Sequence, residues 1–437
     1  MVLRRRPDAL FRTACAYGTM SPTRTAPPAG GCPVDRELHG RLDELQRDPY
    51  PLYTRARGTE GLTHVAELDA WLVARDADVR EVLRRPEEFS SAVALRPDVL
   101  PSPAALAVLG GGFGGRPVVV TADGAQHQRL RAPIVRGLSP ARVTAVLPYA
   151  AERAAALVDG FAGDGHVELM SAYARRLPGE VIGRIVGLDP ADVPGVVHGG
   201  HRAEELLFRP LEEAEQVAAA QDVVAMQHTL DRYARERYDQ PREDLCSELV
   251  ASVVEGPLTL DHRHQLVADL QNLLIAGHLT TTALIGTTVL HLLRHPRQWE
   301  LLCAEPERIP AAIEEAARYD TALQGFRRIT TRSVVLAGTE LPAGATLFIA
   351  FGAANRDERR HPGADTFDIT RSPVARHLAF GLGVHGCPGS QLAREQLRLT
   401  LEELTRRLPG LRLAEDRPVT MRPTMIHRSP YALHLTW

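Results

Sequence analysis

Apolar residues recur at helical spacing over most of the chain, and one stretch stands apart. From Asp261 to Arg294 there is no proline, and Leu266, Val267, Leu270, Leu273, Leu274, Ile275, Leu284, Ile285, Val289 and Leu290 fall on several faces. At 1.5 Å per residue such a helix spans roughly 50 Å, the width of a whole domain. Apolar on several sides, it must be buried through the middle. The same period predicts alanine-rich helices over 147–163, 168–188 and 211–239, with shorter ones at Asp76–Arg85, ended by Pro86, and at Ile313–Tyr319. Around Asp48-Pro49-Tyr50 the pattern predicts a helix, a proline break and a second helix.

Alternation of period two is confined to short runs. Thr63-His64-Val65 and Trp71-Leu72-Val73-Ala74 predict a hairpin, and 326–331, 334–338 and 341–349 a set of strands, with closing strands over 411–437. Residues 93–120 hold four prolines and the run Gly110-Gly111-Gly112-Phe113-Gly114-Gly115, so they read as a long loop, which inside a compact domain is functional or disordered. Folded sequence is expected from about residue 37. Residues 1–36, rich in Pro, Thr, Gly and Ala, read as a disordered leader.

Composition narrows the classes. With 437 residues, 44% of them hydrophobic, the chain can bury a large core in one big domain or two to three ordinary ones. A net charge of -3 leaves no excess of cations to neutralise phosphates, which argues against a nucleic-acid partner. All 51 basic residues are arginine, which reads as codon bias of a GC-rich genome. Five cysteines without CxxC pairs suggest neither zinc nor a disulfide framework, and a reducing cytoplasm fits. No run of some 18 apolar residues predicts a membrane anchor. The basic N-terminus lacks the apolar core of a signal peptide.

Three places carry candidate chemistry. In Phe380-Gly381-Leu382-Gly383-Val384-His385-Gly386-Cys387-Pro388-Gly389 the glycines let the backbone pass close to a flat ligand, and Cys387 is the one soft ligand. A thiolate just before a helix start is stabilised by its unpaired amides. The bland alternative is a small buried hydrophobe in a glycine-rich turn. Asp123 reads as the cap of a helix on which His127 and Arg131, four residues apart, share a face suited to a carboxylate; a solvated basic face is the alternative. On the long helix, Ala276 and Gly277 leave room for a cofactor, and Thr280 can hydrogen-bond a preceding carbonyl, unless this is only a helix-packing notch.

The loop pattern Phe-Gly-x-Gly-x-His-x-Cys-x-Gly, followed by an amphipathic helix, closely resembles the haem-binding signature of the cytochrome P450 family. Further segments match, from about Asp48 to the C-terminus. The resemblance implies a single, mainly α domain with a small β-rich side over 37–437, its long central helix lying over haem b. Cys387 would then be the iron ligand, while His127, Arg131, Arg328 and His385 would hold the propionates. Phe380, Gly389, Ala276 and Gly277 would border the haem, and Thr280 would stand at the oxygen site. Glu315 and Arg318 match the family's buried Glu-x-x-Arg brace. The substrate pocket is expected from Leu95, Val99, Leu100, Leu106, Leu109, Phe113, Leu207, Phe208, Leu279 and Leu323, with the loop at Thr424-Met425-Ile426 reaching it.

By the same resemblance the chain is expected to be a bacterial, cytoplasmic monooxygenase, monomeric, oxidising a hydrophobic small molecule in secondary-metabolite biosynthesis. Its electrons would come from a separate ferredoxin and ferredoxin reductase, with Arg129, Arg136, Arg394 and Arg398 as docking residues. A substrate tethered to a carrier protein would leave no mark in the sequence. Two departures stand out. Leu279 occupies the position of the family's acid, which motivates an atypical oxidation such as coupling or rearrangement, and Thr366 stands where the brace's third partner, an arginine, is usual. A non-catalytic haem-binding or sensing protein is the alternative from another class.

Overall fold

The computed structural model describes residues 42–371 and 376–437; the expected leader over 1–36, with Cys15 and Cys32, lies outside them. The long apolar stretch folds as one α-helix of 35 residues, Leu260–Arg294. Thr259 starts it: its hydroxyl accepts the His262 amide at 3.2 Å, and the His262 ring accepts the Thr259 N–H, closing a capping box. This central helix is long and apolar enough to cross a membrane. Here 78% of its most apolar window is buried inside the protein, so it is the core helix.

Against it pack helices Arg176–Val186, Val193–Phe208, Glu213–Asp239, Ile309–Tyr319 and Ser390–Arg407. Close packing explains Gly277. A Cβ there would lie 2.6 Å from Ile182 of the first of these helices, so the missing side chain makes room for that helix. Gly199 and Gly200 do the same for Val193–Phe208, where a Cβ would meet Met226 at 2.5 Å and His278 at 2.7 Å. Val193–Phe208 therefore runs as one continuous helix through both glycines.

Other predicted elements shift at their ends. The helix expected over 147–163 begins at Pro140, behind Ser139, because proline suits a first helical turn. The stretch 168–188 divides into strand His166–Glu168, a π-helical turn Met170–Ala174 and helix Arg176–Val186. Residues 93–120 are not all loop: Ser102 accepts the Ala105 amide at 3.2 Å and opens helix Pro103–Leu109.

The β-rich side is a five-stranded sheet in the order Thr63–Val65, Ala70–Val73, Thr346–Ala350, Gly325–Thr330, Phe89–Ser90. Ala70–Val73 pairs parallel with Thr346–Ala350, and the sheet's other pairings are antiparallel. The hairpin Val334–Leu336/Thr339–Leu341 turns through Ala337 and Gly338, both at positive φ. The C-terminal strands Arg412–Leu413 and His434–Thr436 join His166–Glu168.

Glu315 and Arg318 are fully buried and paired through two hydrogen bonds, at 2.7 and 2.8 Å. The third partner is Arg371, whose Nε lies 3.3 Å from Glu315 while its other nitrogens donate to the Pro362, Gly363 and Thr366 carbonyls. Thr366 contributes to the brace only through its backbone.

Candidate active site

A cavity of about 900 Å³ lies between the central helix and the cysteine loop, lined by Ala276 and Thr280 from the one and by Phe380, His385, Cys387 and Gly389 from the other. Two glycines shape the loop. Gly381 and Gly383 stand at φ +66° and +72°, and a Cβ on Gly383 would lie 2.7 Å from the Leu83 carbonyl oxygen. The Cys387 amide donates back to the Phe380 carbonyl at 2.8 Å, which turns the cysteine toward the cavity just before helix Ser390–Arg407.

Cys387 is exposed by area, but the space it faces is this cavity. The surrounding protein pushes its thiol pKa up by burial, against the Gly389 N–H and the charges of Arg131 and Arg394, which favour the thiolate. Arg394 itself stacks on Phe380, 4.3 Å above the ring, and is paired with Glu314.

The cationic group assembles as the sequence predicts. Arg131 and Arg328 both line the cavity, and among the described residues neither has a carboxylate partner. Arg131 donates to the Gly386 carbonyl and Arg328 to the Arg327 carbonyl at 2.8 Å. Burial lowers the Arg328 pKa to about 10, the mark of a cation lacking its anion. His127 is buried beside His385, ring centroids 4.2 Å apart, and its Nε2 has no hydrogen-bond partner. Burial and the neighbouring arginines lower both histidines, His385 to about 3, so at neutral pH they act as neutral donors. Asp123 does not cap its helix. Its carboxylate accepts the Ser91 amide at 3.0 Å and the Ser90 hydroxyl; it lines the cavity and its charge acts on Arg328 and His127 without an ion pair to either. Two arginines without an ion pair and a sulfur lining one cavity, with a buried, unpartnered imidazole nitrogen at His127, fit a flat, dianionic, iron-bearing ligand.

Across the cavity, Thr280 Oγ1 donates to the Ala276 carbonyl at 2.7 Å, one turn back on the same face. The helix stays α-helical through this point. Leu95, Leu100, Leu106 and Leu109 line the cavity, as do Phe113, Leu207, Phe208 and Leu323.

Two expected wall residues do not. Val99 is off the wall because Asp98, bonded to the Leu207 carbonyl at 2.8 Å and paired with Arg327, fixes the turn there. Leu279 points round the central helix into a second, small cavity lined by Arg175, His201, Glu204, Thr282, Arg422 and His427. His278 is buried too, its Nδ1 2.6 Å from the Leu274 carbonyl, and is not a substitute acid.

The sequence reading missed a polar pair in the roof. His427, one residue past the expected loop, holds Glu204 of helix Val193–Phe208 at 2.7 Å, and both line the main cavity. Nothing local signals a contact across 223 positions. Of the arginines expected on the docking face, Arg394 and Arg398 are paired with neighbouring glutamates, whereas Arg129 and Arg136 are exposed and have no ion pair among the described residues.

Comparison with known proteins gives a consistent result. The Cytochrome P450 family profile matches residues 207–433. Cytochrome P450 144 of Mycobacterium tuberculosis is 34% identical over 382 residues, 85% of each chain. The mycinamicin IV hydroxylase/epoxidase of Micromonospora griseorubida is 33% identical over 411 residues, 92% of this chain and 96% of its own. The solved structure of cytochrome P450 CREJ with (4-ethylphenyl) dihydrogen phosphate superposes with a TM-score of 0.84 at 29% identity, covering 90% of this chain and 98% of the other.

Proposed function

This chain belongs to the cytochrome P450 family of haem-thiolate monooxygenases, and on that premise we propose that it oxidises an apolar small molecule as a tailoring step in bacterial secondary metabolism. The observation that carries the reading is Cys387 facing a largely apolar cavity whose rim holds two arginines without an ion pair among the described residues. Haem bound to a thiolate supplies dioxygen activation, the sulfur's electron density favouring O–O cleavage.

The protein's own part follows from its residues. Cys387 is the ligand; burial favours its thiol, and the Gly389 N–H, Arg131 and Arg394 offset part of that in favour of the thiolate. Arg131 and Arg328 supply charge, and His127 and His385 neutral donors, for the two propionates. Thr280 holds a hydroxyl proton on the cavity face of the central helix. Leu95, Leu109, Phe113 and Leu207 bind substrate by excluding water, an effect of roughly 25 cal/mol per Å² of apolar surface buried. Arg129 and Arg136, beside the exposed Val135, offer a separate acidic ferredoxin a docking face in the cytoplasm.

The test is the spectrum of the dithionite-reduced, CO-bound protein. The wild type should show a strongly red-shifted Soret band and Cys387→Ala should lose it completely. A wild type with only a globin-like band would remove the thiolate assignment, and one that binds no haem would remove the function.

A second reading, an atypical oxidation, is supported by Leu279 lying outside the main cavity with no acid in its place. In the first reading, protons for hydroxylation arrive through substrate groups or ordered water. Leu279→Glu should then raise hydroxylated product per NADPH consumed. An unchanged ratio favours the second.

A further inference from the structure

Glu204 and His427 are the only carboxylate–imidazole pair among the described residues lining the main cavity, and the oxidation chemistry does not use them. Helix Val193–Phe208 brings Glu204 to the roof. The C-terminal segment brings His427, anchored by an isolated bridge to Leu323. Both residues are buried.

The protonation pattern of the pair follows from its surroundings. Burial acts to raise the Glu204 pKa, but His427, Arg422 and His201 together bring it down to about 2, so it is a carboxylate. His427 must then carry its proton on Nδ1, which donates to Glu204 at 2.7 Å. Arg422 lies 3.9 Å from Glu204 and 3.2 Å from Glu205, Arg209 also holds Glu205, and Arg202 is shared between Glu205 and Asp222. In the neutral ring, with the proton on Nδ1, Nε2 bears the lone pair. Among the described residues it has no protein partner, yet it is not a sealed orphan: its opening is to the cavities that His427 lines.

A carboxylate orienting an imidazole that lines a largely apolar cavity fixes the ring as a hydrogen-bond partner there. We propose that His427, held by Glu204, is a substrate-binding residue that accepts a hydrogen bond from a hydroxyl group of an otherwise apolar substrate and so sets its orientation. This rests on the monooxygenase reading and names the substrate class, a hydroxylated aliphatic molecule. It also gives residue 279 a reason to be apolar, because an acid there would share the small cavity with Glu204 and repel it.

The experiment is calorimetric titration of the haem-loaded protein with cyclododecanol and cyclododecanone, one ring with and without a donor. The wild type is expected to bind the alcohol about tenfold more tightly, the usual scale for one hydrogen bond to a desolvated acceptor. His427→Phe should lose the preference while keeping its affinity for the ketone. His427→Gln, which can both donate to Glu204 and accept from substrate, should retain part of it. No preference in the wild type, including failure to bind either compound, overturns the proposal. So does a His427→Phe protein in which both affinities fall together, since the pair would then only latch helix to loop. The CO spectrum of the same samples separates these failures from failure of the haem-thiolate reading.

Discussion

Glu315 and Glu204 are both buried carboxylates held by cations, one in the brace beside the cysteine helix and one in the cavity roof, and their completion differs. Around Glu315 every valence is filled. Arg318 uses all five of its N–H groups, on Glu315 and on the Asn355, Ala364 and Thr366 carbonyls, while Glu315 also accepts the Asp368 amide and faces Arg371. Around Glu204 the network stops at the ring of His427, which lines the cavity. A saturated buried network can only hold the fold together, whereas one that ends at a free acceptor in a binding cavity is available to a ligand.

The largest effect should therefore fall on the closed network. Arg318→Leu leaves Glu315 buried and uncompensated, a loss of about 3–5 kcal/mol against a typical total of 5–15. Thermal unfolding followed by circular dichroism should show a much lower midpoint or no cooperative transition. An unchanged midpoint would erase the distinction between the two sites. Arg371→Ala should cost less, about 1–2 kcal/mol, because its side chain is 15% exposed and water can reach the three carbonyls it leaves. That ranking sharpens the comparison: the brace needs its arginine at 318 more than its closing one at 371.

The same contrast explains what could be read from the sequence. The cysteine loop was legible because its geometry is local: glycines at positive φ and a cysteine before a helix are neighbours in the chain. The central helix was legible because thirty-odd residues without proline leave little else for that periodicity to build. Arg371 was not, since nothing in its vicinity marks it as the partner of a glutamate 56 positions earlier. Gly277 does line the main cavity, but the space left by its missing side chain is taken by Ile182, a contact that no neighbouring residue announces.

The smallest effect, and the one that isolates the open network, is pH-dependent. Glu204 has its pKa lowered from 4.5 to about 2, burial being outweighed by His427, Arg422 and His201. A carboxylate lowered in this way stabilises the folded state fully above its unfolded value and loses that contribution as pH falls through its folded one. Glu204→Gln keeps the shape and an oxygen for His427 but removes the charge. Near neutral pH the variant should melt below the wild type, by less than Arg318→Leu does. As pH falls from about 4.5 toward 2, the gap between the two proteins should close. Glu314, also lowered to about 2, is common to both and cancels in the difference. A gap that stays constant through this window would mean that Glu204 folds without its charge; His427 would then have no reason to keep its proton on Nδ1, and the open acceptor would lose its cause.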